Sequence, residues 1–135
     1  MYPQPSGNIE DTWEFVRSSM EGLKEGTNLQ LVILDKVTSE FLGCCGLHNL
    51  NESEPELGIW LKKSAHRNGY GLEAITGIID WARVNMDFVH LKYPVDKNNY
   101  ASRRIPEFFN GKLVKEYTHT NIIGKELDIV EYWIN

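Results

Sequence analysis

Ile9, Trp13, Val16, Met20 and Leu23 return at every third or fourth position, the spacing that lines up one face of a helix. Asn8 suits the N-cap and Gly26 stands just past the end, so an amphipathic helix is predicted over residues 9–24. Three short apolar runs follow: "LQLVIL" (29–34), "FLGCCGL" (41–47) and "ELGIWL" (56–61). The polar turn "DKVTSE" between the first two suits an antiparallel hairpin, and the loop "NLNESEP" leads into the third.

The period then changes again. Leu72, Ile75, Ile78, Ile79, Ala82 and Met86 mark a second helix over 71–85, and "FVHLKYPV" (88–95) alternates as a strand does. A strand, a long helix and a further strand make a βαβ unit, so the strands at 56–61 and 88–95 should be parallel neighbours. A third helix runs from Asn99 to about residue 109, and two closing strands, 113–120 and 127–134, are joined through Asn121 to Lys125. The predicted architecture is α+β: a mostly antiparallel sheet with one parallel pair in its middle. The 135 residues show no repeat or linker, so a single domain spans 1–135.

Charge narrows the function. Fourteen basic against nineteen acidic residues leave a net charge of −5, which argues against general affinity for nucleic acid or for an anionic membrane. No apolar run approaches the length of a membrane span, and "MYPQPSGNIEDTW" has neither the basic nor the apolar region of a secretory signal. Cys44 and Cys45 are neighbours in sequence, poor geometry for a structural disulfide, and read as small buried thiols in a reducing cytoplasm. No His/Cys/carboxylate spacing resembles a metal site.

Against that acidic background one stretch stands out. Between Glu56 and Glu73 there is no carboxylate, yet Lys62, Lys63, His66 and Arg67 crowd together ahead of "NGYGL". Gly69 and Gly71 let backbone approach a ligand closely, and the helix that follows aims its first N–H groups at the same place. Such a turn suits a phosphate or pyrophosphate, although an ordinary strand-to-helix loop with a solvated basic rim would read the same way. Gly69, Gly71 and Ala74 also spell a dinucleotide fingerprint. That pattern belongs immediately after the first strand of a doubly wound parallel sheet, and here the preceding strands form hairpins.

His66-Arg67-Asn68-Gly69-Tyr70-Gly71 resembles the Q/R-x-x-G-x-G/A signature of the GNAT superfamily of acetyl-coenzyme A-dependent N-acetyltransferases. "ELGIWL", "GYGLEAI" and "VDKNNYASRRI", in that order, are similar to the ribosomal-protein N-terminal acetyltransferase (RimJ/RimL-type) branch, in which an N-x-x-S opens the later helix. Asn99-Tyr100-Ala101-Ser102 matches that motif, and the resemblance spans residues 3–134.

The resemblance implies a sheet whose central parallel strands are splayed apart. The pantetheine arm of acetyl-coenzyme A would pair there with the backbone of Ile59, Trp60, Leu61, Lys62 and Lys63 like an added strand. It implies that the N–H groups of Asn68, Gly69, Tyr70, Gly71 and Leu72 hold the pyrophosphate, with His66 and Arg67 beside them. Ser102 would donate to the leaving sulfur while Asn99 bonds the pantetheine arm, although both residues also suit plain helix capping. An amine with a pKa near ~10 is mostly protonated at neutral pH and needs a base. Glu56 matches the family's glutamate, while its place at a strand start equally suits a structural carboxylate. His119, Glu116 and His48 stand behind it.

Three departures accompany the match. His66 replaces Arg or Gln, Pro106 falls inside the third helix and should kink or shorten it, and "FFNGKLVKEY" replaces the usual ending. Pro94 fits either a strand that ends at Tyr93 or one that has parted from its neighbour. Relatives carry a first strand and helix ahead of a stretch resembling "MYPQP". The expectation is therefore an exposed apolar edge at 29–34, covered by a second copy in a homodimer or by a swapped segment. Two functions are consistent with these residues: acetyl transfer from acetyl-coenzyme A to a primary amine, or a non-catalytic coenzyme A-binding or assembly module of the same fold.

Overall fold

The computed structural model describes residues 26–135, so the helix expected over 9–24 lies outside the described residues. Strand β1 (Asn28–Leu34) turns into β2 (Phe41–His48), and β3 (Glu56–Leu61) follows. A 3-10 turn (Lys63–Ala65) leads to helix α1 (Tyr70–Asn85), and then come β4 (Leu91–Asp96), α2 (Tyr100–Phe108), β5 (Lys112–Thr120) and β6 (Glu126–Ile134). The six strands form one sheet in the order β1-β2-β3-β4-β6-β5. Every pair is antiparallel except β3 with β4. This is the mixed α+β sheet that the hydrophobic pattern predicts.

The β1–β2 hairpin is locked by its own polar residues. The Asp35 carboxylate accepts the N–H groups of Val37 and Thr38 at 2.8 and 2.9 Å, closing the turn. Alternation then sorts the sheet into two faces. Leu47, Leu57, Leu91, Tyr93, Val95, Val130, Tyr132 and Ile134 point to one face and are buried against Ile75, Ile78, Ile79 and Ala82 of α1 and Ile105 of α2. Each fully buried aliphatic side chain contributes about 1.5–3 kcal/mol.

Strand β4 begins later and ends later than the alternation over 88–95 predicts. β6 ends at Ile134 opposite Leu91, so residues 88–90 have no partner strand on that side. They turn to the preceding loop instead, where Val89 N–H donates to the Ser53 carbonyl at 2.8 Å. His90 is buried, stacked on Trp133 at 3.7 Å. At the other end β4 continues through Pro94, paired to Glu131, as far as Asp96, so the strand does not stop at Tyr93.

The parallel pair carries the main irregularity of the sheet. β3 and β4 share a single register position, Glu56 opposite Lys92, where Lys92 N–H donates to the Pro55 carbonyl at 2.8 Å. Beyond it the strands diverge. N–H groups two residues apart point the same way along a strand, so the nitrogen of Pro94, like that of Lys92, faces β3. Its missing hydrogen is lost into the opening, where no ladder needs it.

Candidate functional site

The split between β3 and β4 opens into a cleft of about 670 Å³. Its walls are the end of β3 (Ile59, Trp60, Leu61), the turn from His66 to Leu72, and the face of α2 that carries Asn99, Ser102, Ile105 and Phe108. Twelve of the residues singled out in the sequence therefore meet in one place.

The strand edge is the first component. Lys62 N–H donates to the Leu42 carbonyl and Trp60 lies opposite Cys44, so residues 60 and 62 direct their backbone groups to β2. Ile59 and Leu61 direct theirs the other way, into the split. The Leu61 carbonyl is already used: Nε2 of His66 lies 2.9 Å from it, which makes Nε2 the protonated nitrogen. His66 thus braces the strand end, and its other ring nitrogen is the one left for a ligand.

The turn is the second component. Arg67 and Gly69 both have left-handed φ, 65° and 74°, with Asn68 between them at ordinary sign. Alternation of this kind curls successive N–H groups toward one side, making an anion-binding hollow. Asn68 holds the loop in shape, its side-chain amide donating to the carbonyls of Ala65 and His66 at 3.3 and 2.9 Å. The first helical bond of α1 runs from Glu73 N–H to the Gly69 carbonyl at 3.1 Å. The N–H groups of Tyr70, Gly71 and Leu72 precede it and no side chain caps them. Gly71 is also needed for closeness, since a Cβ there would lie 3.1 Å from Cδ1 of Ile105 across the cleft floor.

Helix α2 is the third component. The Asn99 side chain accepts Ser102 N–H at 3.1 Å as an N-cap, and Ser102 lies in the first turn. Its hydroxyl is 2.7 Å from the phenol oxygen of Tyr93, a β4 side chain that is 1% exposed. Burial pushes that phenol up to about 12, against the opposing effect of the Ser102 hydrogen bond. Tyr93 was not legible as a site residue, because in sequence it is only one more apolar position in an alternating strand. Arg104 and Phe108 were also missed. Both line the cleft, and the spacing 101, 104, 105, 108 marks them as one helical face.

Other residues named from sequence lie elsewhere. Lys62 and Lys63 do not line the cleft, and Nζ of Lys62 is engaged by Glu40 at 2.6 Å. Glu56 sits at the closed end of the split, half-buried, on the sheet face away from α1 and α2. Its cross-strand partner there is His48, whose imidazole burial holds below the usual pKa despite the Glu56 charge. Tyr117 of β5 shares that face, its phenol pushed up by burial and then by the charges of Glu131 and Glu56. Glu116 is tied to Lys97, and His119 is exposed on β5. Among the described residues no group of three or more His, Cys, Asp or Glu could hold a metal ion, and no helix is long and apolar enough to cross a membrane.

Comparison with known proteins agrees with this fold. The spermidine N-acetyltransferase of Vibrio cholerae, solved with coenzyme A and spermine, superposes with a TM-score of 0.79 at 14% identity, covering 98% of this chain and 78% of that one. An acetyltransferase from Salmonella typhimurium that modifies the N-terminal serine of ribosomal protein L7/L12 gives 0.77 at 16% identity, covering 92% and 73%. The microcin C7 self-immunity acetyltransferase MccE, solved with acetyl-CoA and AMP, gives 0.78 at 19% identity, covering 94% and 71%. No curated protein sequence matches the chain. A family model described as the acetyltransferase (GNAT) domain matches residues 1–108 of the 135. The chain belongs to the GNAT acetyltransferase family.

Proposed function

We propose that this domain transfers an acetyl group from acetyl-coenzyme A directly to a primary amine, in the manner of the RimJ/RimL-type branch. The observation that carries the proposal is the meeting, in one cleft, of a split parallel pair and an uncapped helix N-terminus. The N–H groups of 68–72 suit the pyrophosphate, with Arg67 and Arg104 adding charge. The outward-facing backbone of Ile59 and Leu61 suits the amide groups of the pantetheine arm, and a backbone N–H at the same edge would stabilise charge developing on the thioester oxygen.

The chemistry then needs two proton movements. The amine nitrogen attacks the thioester carbon, the new C–N bond forms, the C–S bond breaks, and the proton lost by nitrogen must end on sulfur. Glu56, at the closed end of the split and on the opposite face, would take the amine proton. Ser102 faces the cleft and would donate to the departing sulfur. The acceptor reaches the thioester from the face that carries Glu56, His48 and Tyr117. The two free cysteines support a reducing cytoplasmic setting. The apolar outer residues of β1 support pairing with a second copy or a swapped segment.

Calorimetry with acetyl-coenzyme A, followed by a free-thiol release assay over protein N-terminal peptides and small amines, tests the reading. Binding with turnover is expected. Binding without turnover on any amine would make the domain a cofactor-binding module, and no binding would overturn both.

A further inference from the structure

Ser102 lies four residues before Pro106, and this spacing has a consequence for its backbone. In a helix the carbonyl of residue 102 receives the N–H of residue 106, but proline has none. Pro106 is fully buried, so this is not a site that water can repair freely. The group that reaches the carbonyl is the Tyr93 hydroxyl, 3.2 Å from it and 2.7 Å from Oγ of the same serine. One buried phenol therefore touches two polar groups, the carbonyl and the hydroxyl, of a serine that lines the cleft.

We propose that Tyr93 is a positioning residue for Ser102, completing the hydrogen bond that Pro106 withholds and fixing the place of the serine oxygen at the cleft wall. A carbonyl oxygen only accepts, so with the phenol hydrogen on the carbonyl the serine hydrogen rests on the phenol oxygen. When that hydrogen turns to the sulfur, the phenol hydrogen is free to bond Oγ. The chain Tyr93 O–H to Ser102 O–H to sulfur then strengthens link by link as negative charge grows on the thiolate. Ser102 recovers from solvent the proton it gives to sulfur, Glu56 returns the amine's proton to solvent, and the phenol, buried and held neutral, keeps its own. Proline in this helix and tyrosine in this strand act as a pair.

The inference rests on the acetyltransferase reading for its kinetic part and on geometry alone for its structural part, so the two are tested separately. Kinetically, Tyr93→Phe should lower kcat about tenfold while leaving the KM for acetyl-coenzyme A unchanged, a smaller loss than the ~10²-fold or more expected on removing a proton donor outright. Tyr93→Phe combined with Ser102→Ala should be no slower than Ser102→Ala alone, because the tyrosine acts only through the serine. An unchanged kcat, or losses that multiply, would overturn the assignment. Structurally, urea unfolding of Tyr93→Phe, Pro106→Ala and the double variant forms a cycle. With alanine at 106 the helix supplies the missing N–H, so the destabilisation caused by Tyr93→Phe should shrink by roughly half or more. Strict additivity would overturn the pairing of Tyr93 with Pro106. A wild-type protein that binds acetyl-coenzyme A but acetylates nothing overturns the enzymatic reading instead, and the urea cycle then decides the structural claim by itself.

Discussion

Arg67 holds a left-handed backbone conformation, φ 65°, that suits glycine better than a residue with a Cβ. If its side chain grips a phosphate, stability and affinity should pull apart there. Arg67→Gly should stabilise the fold by roughly 0.5–1 kcal/mol in urea while weakening acetyl-coenzyme A binding about tenfold, the loss of one charge-assisted contact. Ser102→Ala, by contrast, should slow turnover about a hundredfold and spare cofactor affinity. His48 makes a prediction about pH. Its folded pKa lies below the unfolded value, so the unfolded chain binds the proton more readily. The stability that neutral His48 permits is present above the unfolded pKa near 6.5 and is lost as pH falls through the lower folded value. Thermal melts should show this loss below pH 6.5, and His48→Asn should flatten it.

At the scale of elements, the strand, turn and helix from Glu56 to Asn85 were legible almost to the residue. Their periods are long and their boundaries are punctuated by Pro55, Gly69 and Gly71. What escaped were contacts made between elements. Lys62 is the clearest case, because its Nζ meets Glu40, just ahead of the neighbouring strand β2. Charge counting over a window of sequence cannot see a carboxylate twenty-two positions away. The pair is exposed and of small worth. Lys62→Ala should therefore change acetyl-coenzyme A affinity by less than about twofold in calorimetry, against the larger loss at Arg67. The start of β4 was misplaced for a similar reason: Val89 continues the alternation of Leu91, Tyr93 and Val95, but β6 offers no partner before Leu91. Tyr93 and Ser102 are nine positions apart, and only the packing of α2 on β4 brings their hydroxyls together.

At the scale of the whole molecule, the prediction concerns the outer edge of the sheet. Among the described residues β1 is the outer strand of the sheet beside β2, and Leu31, Val32 and Leu34 are exposed along it, Val32 by 63%. Sedimentation across a range of concentrations should show association, and Val32→Lys should weaken it. A monomer at every concentration would show that this edge needs no second copy.

The single rung at Glu56 and Lys92 also has a mechanical meaning. Along the backbone it divides the sheet into two three-stranded leaves, β1-β2-β3 and β4-β6-β5, which are bound along one short spine and otherwise joined through α1 and the core. A pantetheine arm lying in the opening would be a seventh strand that stitches the leaves together. Acetyl-coenzyme A would then be a structural fastener as well as an acyl donor. At a hundred times its dissociation constant, mass action alone adds about 2.7 kcal/mol of stability. Hydrogen exchange should report where it is felt: amides on the facing edges, Ile59 and Leu61 first, should slow most, while the outer strands β1 and β5 change least.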